Sequence, residues 1–359
     1  MNDFYASHPA PLWYEETGPD HDIVISSKVR VSRNLSSFMY PHMLSDQGLE
    51  EACDKIQTAV RESGVCPGFS LYRRDALGEN ETALLAEEGR IHRRGEFRRA
   101  AVIVSGDRQL CVEANAKDHV CISSIRGGNS LANAWRDVDR ADSELETRLD
   151  YAVCLDLGYL AAEIDNMGTA LKASVVLHLP GVSLSGRLDK VAKILTETGF
   201  SMEPFLPLKG SGAEFFLVSG RPRLGESEKD ILKKFDGIMN SLLNYEREMR
   251  NLLFEKKGDF LEDQMSRAYG ILERAKFLSC EEAVKLLSLL RMGYCLRRPA
   301  AVRWDKVTAM IFRSMPAHIR IRLADKTAET LEERESRERA VFIHEELKNT
   351  SWGEEGHSV

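Results

Sequence analysis

The stretch DIVISSKVRVSRNL, residues 22–35, combines a β-rich apolar run with three basic residues. Its first five residues, DIVIS, form a short run rich in β-branched side chains, which favours a strand over 22–26. Three basic residues follow at the end of this predicted strand: Lys28, Arg30 and Arg33. Because charged side chains often protect the edge of a sheet from further pairing, the run alone indicates either a charged strand end or a binding site.

Five further runs are short, rich in β-branched or aromatic residues and bounded by turn residues, which is typical of strands. They are AAVIV (100–104), QLCVEA (109–114), HVCIS (119–123), SVVLHL (174–179) and FFLVS (215–219). The first two are joined by a short turn and predict an antiparallel hairpin. Residues 184–198 carry apolar side chains at helical spacing and end at Gly199. We therefore predict an α+β fold, an antiparallel sheet with helices packed on one face.

The pattern becomes helical after Gly225. Ser227 with Asp230 resembles a capping box at the start of a long helix, and Ser279 with Glu282 opens another. Residues 329–347 form a third, highly charged helical stretch. Because no strand candidate follows residue 258, we predict two domains: 1–257, which contains the sheet, and 258–359, which is all-helical.

Composition excludes several classes of function. The chain has 359 residues with 49 Lys+Arg against 56 Asp+Glu, a formal net charge of −7, so we expect no nucleic-acid or membrane partner. Seven scattered cysteines without a C-x-x-C pair argue against a disulfide framework, and the histidines lack metal-binding spacing, so we predict no metal site. Neither a signal peptide nor an apolar run of about 18 residues is present, and we expect a cytoplasmic protein.

The usual nucleotide motifs are absent: there is no P-loop, no dinucleotide fingerprint and no protein-kinase signature. Several runs instead resemble the phosphagen (ATP:guanido) kinase family, and within it the bacterial protein-arginine kinase type. Residues 22–35 resemble its S-[ST]-R-[VI]-R-x-x-R-N signature, and ANAKDHVCI (114–122) resembles N-E-E-D-H-[LI]-R-I. Residues 157–180 resemble G-[YF]-L-T-x-C-P-T-N-x-G-T-x-[LV]-R-A-S-V. The matches keep their order over nearly the whole chain.

The resemblance implies transfer of a phosphoryl group from ATP, with Mg²⁺, to arginine side chains of proteins. Arginines hold the phosphates in this family because planar guanidinium groups bind them in a bidentate manner, while carboxylates hold and polarise the substrate guanidinium. The resemblance assigns the nucleotide phosphates to Lys28, Arg30, Lys172 and Lys209. It assigns the substrate guanidinium to Glu214, with Glu163 as a second carboxylate.

The assigned residues depart from the family pattern. Three arginine positions carry lysine, which keeps the positive charge but loses the fork geometry: Lys28, Lys172 and Lys209. Cys121 replaces a fourth arginine, and the Glu-Glu pair before Asp-His reads Ala116-Lys117. At about 4 Å and an effective dielectric near 20, a cation here would repel a substrate guanidinium by roughly 4 kcal/mol. Glu163 stands where the family has a reactive cysteine.

These departures leave two functional hypotheses. We favour an impaired kinase fold, a pseudokinase, that acts as a regulatory binding module for an active kinase or presents protein clients to a Clp-type protease. The alternative is an active, divergent protein-arginine kinase that uses Glu214 and Glu163, the latter paired with Asp165. A kinase of free guanidino compounds fits less well, because the helical C-terminal region belongs to the protein-arginine type.

In that type, the C-terminal domain is a docking and dimerisation module that recognises phosphoarginine through an Arg-Asp pair on a helix. The pair falls here at Glu335-Ser336. We therefore predict a solvated helix with charge pairs such as Glu335 with Arg339. A shifted anion site is the alternative, formed by Arg334, Arg337 and Arg339. The resemblance also implies a homodimer.

Overall fold

The structure is a computed structural model that describes residues 10–91, 98–205, 214–220, 225–295, 304–323 and 330–349. Its strands are β1 Val24–Arg33, β2 Ser70–Arg73, β3 Ala101–Val104, β4 Leu110–Ala114, β5 Val120–Gly127, β6 Val153–Cys154, β7 Gly158–Tyr159, β8 Leu171–His178, β9 Phe200–Pro204 and β10 Phe215–Gly220. Its helices are α1 Asp46–Ser63, α2 Glu79–Glu87, α3 Leu131–Glu146, α4 Pro180–Leu184, α5 Leu188–Glu197, α6 Glu228–Arg274, α7 Cys280–Cys295, α8 Trp304–Arg313, α9 Pro316–Arg322 and α10 Leu331–Asn349.

Eight strands form one antiparallel sheet in the order β2-β3-β4-β5-β1-β8-β10-β9, and β6 pairs with β7 separately. The predicted hairpin is confirmed, since β3 pairs antiparallel with β4. Strands β5, β8 and β10 overlap the predicted runs 119–123, 174–179 and 215–219, but β5 ends four residues later and β8 begins three residues earlier than predicted. The remaining strands, β2, β6, β7 and β9, are absent from the prediction because they are short and largely unburied, and so lack a clear apolar alternation.

Strand β1 is longer than predicted and lies at the centre of the sheet. It continues from Val24 to Arg33 and pairs with β5 on one side and β8 on the other. The continuation is stable because Val29 and Val31 enter the core while Lys28 and Arg30 occupy the opposite face. The interpretation of this basic run as a blunted strand end is therefore wrong.

The predicted helix over 184–198 begins too early. Helix α4 ends at Leu184, Gly186 has a φ of 66°, and α5 begins at Leu188. The two predicted helix starts further along are confirmed by their caps. Ser227 Oγ accepts a hydrogen bond from the Asp230 amide at 3.2 Å, and Ser279 Oγ accepts one from the Glu282 amide at 3.1 Å.

Helices α1, α3, α5 and the first half of α6 bury one face of the sheet. The prediction of helices on one face needs a correction, because the C-terminal helices cover part of the other face. There, Ile25 and Val176 of the sheet pack in one apolar cluster with Leu287 of α7 and Phe312 of α8. Lys28 and Arg30 of β1 lie on the same second face, whereas Arg33 lies on the core face.

Helix α6 is kinked at Lys257, which has non-helical angles, with φ −140° and ψ 27°. Past residue 258 the described part of the chain is entirely helical or irregular, as predicted. The division into domains 1–257 and 258–359 remains a prediction. Of the helices that the structure describes, none combines the length and apolar character needed to cross a membrane.

Candidate functional site

Three of the predicted phosphate ligands meet on the second face of the sheet. Lys28 and Arg30 lie two residues apart on β1, and Lys172 of β8 is the register partner of Arg30. All three are partly exposed. Burial is the main cause that lowers the pKa of Lys28 and of Lys172, and the charge of Arg30 lowers both further. The three cations therefore form one positively charged group.

Short side chains form the floor beside these cations. Ser123 of β5 pairs in register with Arg30 and with Cys111 of β4, and Cys121 lies two residues along β5 on the same face. Burial raises the pKa of the Cys121 thiol to about 12, so the thiol stays protonated at neutral pH. Cys121 thus contributes a small neutral side chain where the family places a charge, and not a nucleophile.

Arg90 is a site residue that the sequence analysis missed. Lys28 Nζ donates a hydrogen bond to the Gly89 carbonyl at 2.6 Å, and the next residue, Arg90, is 1% exposed. The guanidinium nitrogens of Arg90 donate no hydrogen bond to any described residue, and Glu88 Oε2 lies 3.8 Å from its Nε. Buried guanidinium groups are normally bonded to acceptors, so these donors fit an anionic ligand.

Glu163 is present at the site but is not a free carboxylate. Lys117 Nζ donates a hydrogen bond to Glu163 Oε1, and Asn166 Nδ2 donates one to Oε2 at 3.0 Å. The Lys117 hydrogen bond is the largest cause of the lowered pKa of Glu163, and the charge of Lys172 acts in the same direction. The side chain of Asp165, its predicted companion, lies outside the described residues.

A buried network fixes the segment that carries Glu163. Asp118 Oδ1 accepts hydrogen bonds from Asn34 Nδ2 and from the Ala162 amide, both at 2.7 Å. Arg33, on the opposite face from Arg30, stacks 3.5 Å from the Tyr159 ring centroid and donates to the Thr169 carbonyl at 3.0 Å. The last arginine of the signature is therefore a structural residue that holds residues 159–169 against the sheet.

Glu214, the predicted loop carboxylate, is bound to the helical C-terminal region. Its Oε2 accepts a hydrogen bond from Ser288 Oγ of α7 at 3.1 Å, and Ser288 Oγ lies 2.8 Å from His178 Nε2. Arg291 donates to His178 Nδ1 at 2.8 Å, and since a guanidinium can only donate, the hydrogen of His178 is on Nε2. The chain of donors thus ends at Glu214, whose pKa is raised by burial.

The structure does not bring all predicted ligands together. Lys28, Arg30 and Lys172 share one face, with Glu163 at its border. The carboxylate of Glu214 is instead held by Ser288, and Lys209 lies outside the described residues. No group of three or more His, Cys, Asp or Glu side chains suited to a metal ion occurs in the part of the chain that the structure describes.

The alternative for α10, a shifted anion site that includes Arg339, is wrong for this residue. This side chain is buried and donates to the carbonyls of Ser314 at 2.7 Å and Leu278 at 2.8 Å, so its donors are already used. Its predicted pairing with Glu335 is present at 3.8 Å, but in a buried setting and not on a solvated face. Arg337 stacks 4.6 Å from the ring centroid of Phe277.

Comparison with known proteins agrees with these features. The family model "ATP:guanido phosphotransferase, C-terminal catalytic domain" matches residues 51–249, and "Protein-arginine kinase McsB C-terminal domain" matches residues 258–357. A protein-arginine kinase of Pelotomaculum thermopropionicum is 32% identical over 316 residues, which cover 86% of this chain and 88% of that protein. That of Halalkalibacterium halodurans is 29% identical over 351 residues, covering 96% and 97%.

Two solved structures share the fold. The duplicated taurocyamine kinase of Schistosoma mansoni, with transition-state analogue components bound, matches with a TM-score of 0.57 and 20% identity over 64% of this chain and 34% of that one. A lombricine kinase matches with a TM-score of 0.55 and 17% identity, covering 67% and 71%. At these identities the likeness concerns the fold alone. On the evidence of the family models and the curated relatives, the chain belongs to the ATP:guanido phosphotransferase family and, within it, to the protein-arginine kinases.

Proposed function

We propose that this protein binds the phosphates of ATP at Lys28, Arg30 and Lys172 but transfers a phosphoryl group to protein arginine slowly or not at all. It would act as a regulatory binding module, a pseudokinase. The single observation that carries this proposal is the ion pair between Lys117 and Glu163.

Phosphate binding is supported by the donor set. Three cations converge on one sheet face, and the buried Arg90 next to the Lys28 contact has guanidinium donors without acceptors among the described residues. Charge-assisted hydrogen bonds to phosphate are stronger than neutral ones. ATP would supply the phosphoryl group, and Mg²⁺ would arrive on the phosphate oxygens, which it prefers as ligands.

Impaired transfer is supported by the state of the carboxylates. A guanidinium has a pKa of about 12.5 to 13.8, so a free carboxylate must hold and polarise it before its nitrogen can attack. Glu163 already binds the cation of Lys117, and Glu214 already accepts a hydrogen bond from Ser288. A substrate guanidinium approaching Glu163 therefore meets a competing positive charge.

The active-kinase alternative also has an observation in its favour. The side chains of Lys117 and Glu163 are 61% and 42% exposed, and exposed ion pairs contribute only about 0.2 to 1 kcal/mol. A substrate guanidinium able to displace Lys117 would recover Glu163 as its partner. The two hypotheses therefore predict different rates of phosphoryl transfer: slow or none for the pseudokinase, and measurable turnover for the active kinase.

The test measures ATP binding by calorimetry and phosphoryl transfer from Mg-ATP to an arginine-rich protein, detected as acid-labile phosphate. We expect heat of binding without phosphoarginine for the wild type, and a gain of transfer when Ala116→Glu and Lys117→Glu are combined. Lys193→Glu, on the exposed side of α5, is the matched charge-reversal control and should gain nothing.

Wild-type turnover that disappears in Glu163→Gln would overturn the pseudokinase proposal in favour of the alternative. Absence of heat at millimolar ATP would overturn the binding proposal. The same proposal includes the partners. We propose that this protein forms a homodimer in the cytoplasm and binds an active kinase, or a Clp-type protease with its protein clients.

A further inference from the structure

We propose that Glu113 is a built-in counterion of the cationic site, which competes with phosphate groups for Lys28 and Arg30 and so weakens the binding of nucleoside triphosphates. This inference rests on the proposed function, because it concerns the same site. It goes further by assigning a role to a carboxylate that neither the family pattern nor the sequence analysis includes.

The register places Glu113 on the cationic face. Glu113 of β4 pairs with Cys121 of β5, and Cys121 pairs with Ser32 of β1. Residues opposite each other in an antiparallel ladder point to the same face, as do residues two apart on one strand. Glu113 therefore shares its face with Arg30, separated from β1 by the short side chain of Cys121.

The carboxylate is enclosed and incompletely bonded. Glu113 is 3% exposed, and its Oε2 accepts no hydrogen bond from any residue that the structure describes. Burying an ionised carboxylate is unfavourable unless opposite charges compensate it. Burial raises the pKa of Glu113, while the charges of Lys28, Arg30 and Arg74 favour its ionised form, and Glu113 in turn stabilises the charge of Lys28.

This arrangement weakens the binding of phosphate ligands. A phosphate that approaches Lys28 and Arg30 meets cations already partly neutralised, and its own negative charge is repelled by Glu113. The repulsion grows with the charge of the ligand, so ATP is affected more than AMP. A neutral side chain of the same shape at position 113 removes both effects and leaves the cations in place.

The same geometry predicts a pH dependence, because a protonated Glu113 no longer competes. Burial raises the pKa of Glu113, while nearby cations oppose this shift. The groups that face it from the surrounding elements are Lys28 and Arg30 of β1, Cys111 of β4, Cys121 of β5 and Arg74 beyond β2. ATP binding by the wild type should therefore strengthen as pH falls through the titration of Glu113.

The experiment compares Glu113→Gln with the wild type by calorimetry, with ATP and AMP as ligands, over a range of pH. Removal of the negative charge of Glu113 should tighten ATP binding about tenfold, and AMP binding less. Because ATP protonation is common to both proteins, the difference in pH dependence isolates Glu113. Glu203→Gln, an exposed carboxylate on the edge strand β9, is the matched control and should bind ATP as the wild type does.

The outcomes separate the two proposals. Equal ATP affinity in wild type and Glu113→Gln, with binding in both, overturns the counterion and leaves the proposed function standing. Binding only by Glu113→Gln supports the counterion but overturns ATP binding by the wild type. Binding by neither overturns both. If Glu113→Gln does not fold, Glu113→Met provides the neutral side chain, and the same gain in ATP affinity is required of it.

Discussion

Arg291 of α7 joins the helical C-terminal region to the sheet, and replacing it with methionine should strongly destabilise the protein. Its side chain is fully buried. It donates to His178 Nδ1 at 2.8 Å, to Thr308 Oγ1 and the Asp22 carbonyl at 3.1 Å, and to the His21 carbonyl. Methionine keeps much of the apolar stem but leaves these acceptors without their donor.

The magnitude follows from these contacts. Each buried acceptor left unsatisfied costs about 1 to 3 kcal/mol, but relaxation and water entry prevent simple addition. Four acceptors lose their donor in Arg291→Met, and with partial relaxation we expect a total loss of about 3 to 5 kcal/mol. Against a typical total stability of roughly 5 to 15 kcal/mol, this loss would be unmistakable.

Urea unfolding followed by circular dichroism and tryptophan fluorescence measures this loss. We also expect the two probes to separate, because α7 would unfold without the sheet. Arg291 is the largest charge that lowers the pKa of His178, after burial, so the variant should raise that pKa in an NMR titration. Arg274→Met, whose side chain is 84% exposed, is the matched control and should change stability by under about 1 kcal/mol. A loss below about 1 kcal/mol for Arg291→Met, with the pKa of His178 unchanged, would contradict a stabilising role of Arg291.

Three further predictions follow from single contacts. Lys117→Ala should raise the pKa of Glu163 toward its ordinary value, measured by carboxyl NMR, and change stability by under about 1 kcal/mol because the pair is exposed. Arg33→Met should cost about 3 to 5 kcal/mol in urea unfolding, since it breaks a buried 2.5 Å ion pair with Asp142. Burial lowers the pKa of His119 to about 4, whereas the pKa in the unfolded chain is about 6.5. The neutral form therefore contributes up to about 3 kcal/mol to the free energy of unfolding above pH 6.5. That contribution should be lost as pH falls from about 6.5 to about 4, and His119→Gln should flatten the profile.

Each of these three has a clear contrary result. An unchanged Glu163 titration in Lys117→Ala would show that the pair is not formed in solution. Wild-type stability for Arg33→Met would show that the buried pair adds nothing. For His119, the contrary result is an equally steep loss of stability with falling pH in wild type and His119→Gln.

The runs that resemble the family pattern predicted the fold class and the proximity of Lys28, Arg30 and Lys172. This prediction succeeded because the order and spacing of the matched runs indicate which strands are neighbours. In the structure, Arg30 of β1 lies opposite Lys172 of β8. The extent of β1 was missed because its second half is rich in basic and polar residues. Only a central position, with core on one face and the site on the other, makes such a run a strand.

The hydrogen-bond partners of Glu163 and Glu214 could not be predicted from the sequence. Lys117 and Glu163 are 46 residues apart in the chain, and Ser288 and Glu214 are 74 apart, so their pairing depends on tertiary packing. Glu113 did carry a signal, an acidic residue inside the predicted strand 109–114. Its meaning requires the register, which shows that this residue faces the cations and not solvent.

A single-turnover measurement with γ-labelled Mg-ATP distinguishes a protein that binds ATP without transferring its phosphate from an active kinase. Protein in excess over ATP is mixed with an arginine-rich substrate, and bound nucleotide and acid-labile phosphate on arginine are counted in the same sample. We predict bound, intact ATP and no label on arginine. Label on arginine that is lost in Glu163→Gln, or no bound ATP at millimolar protein and nucleotide, would contradict ATP binding without transfer.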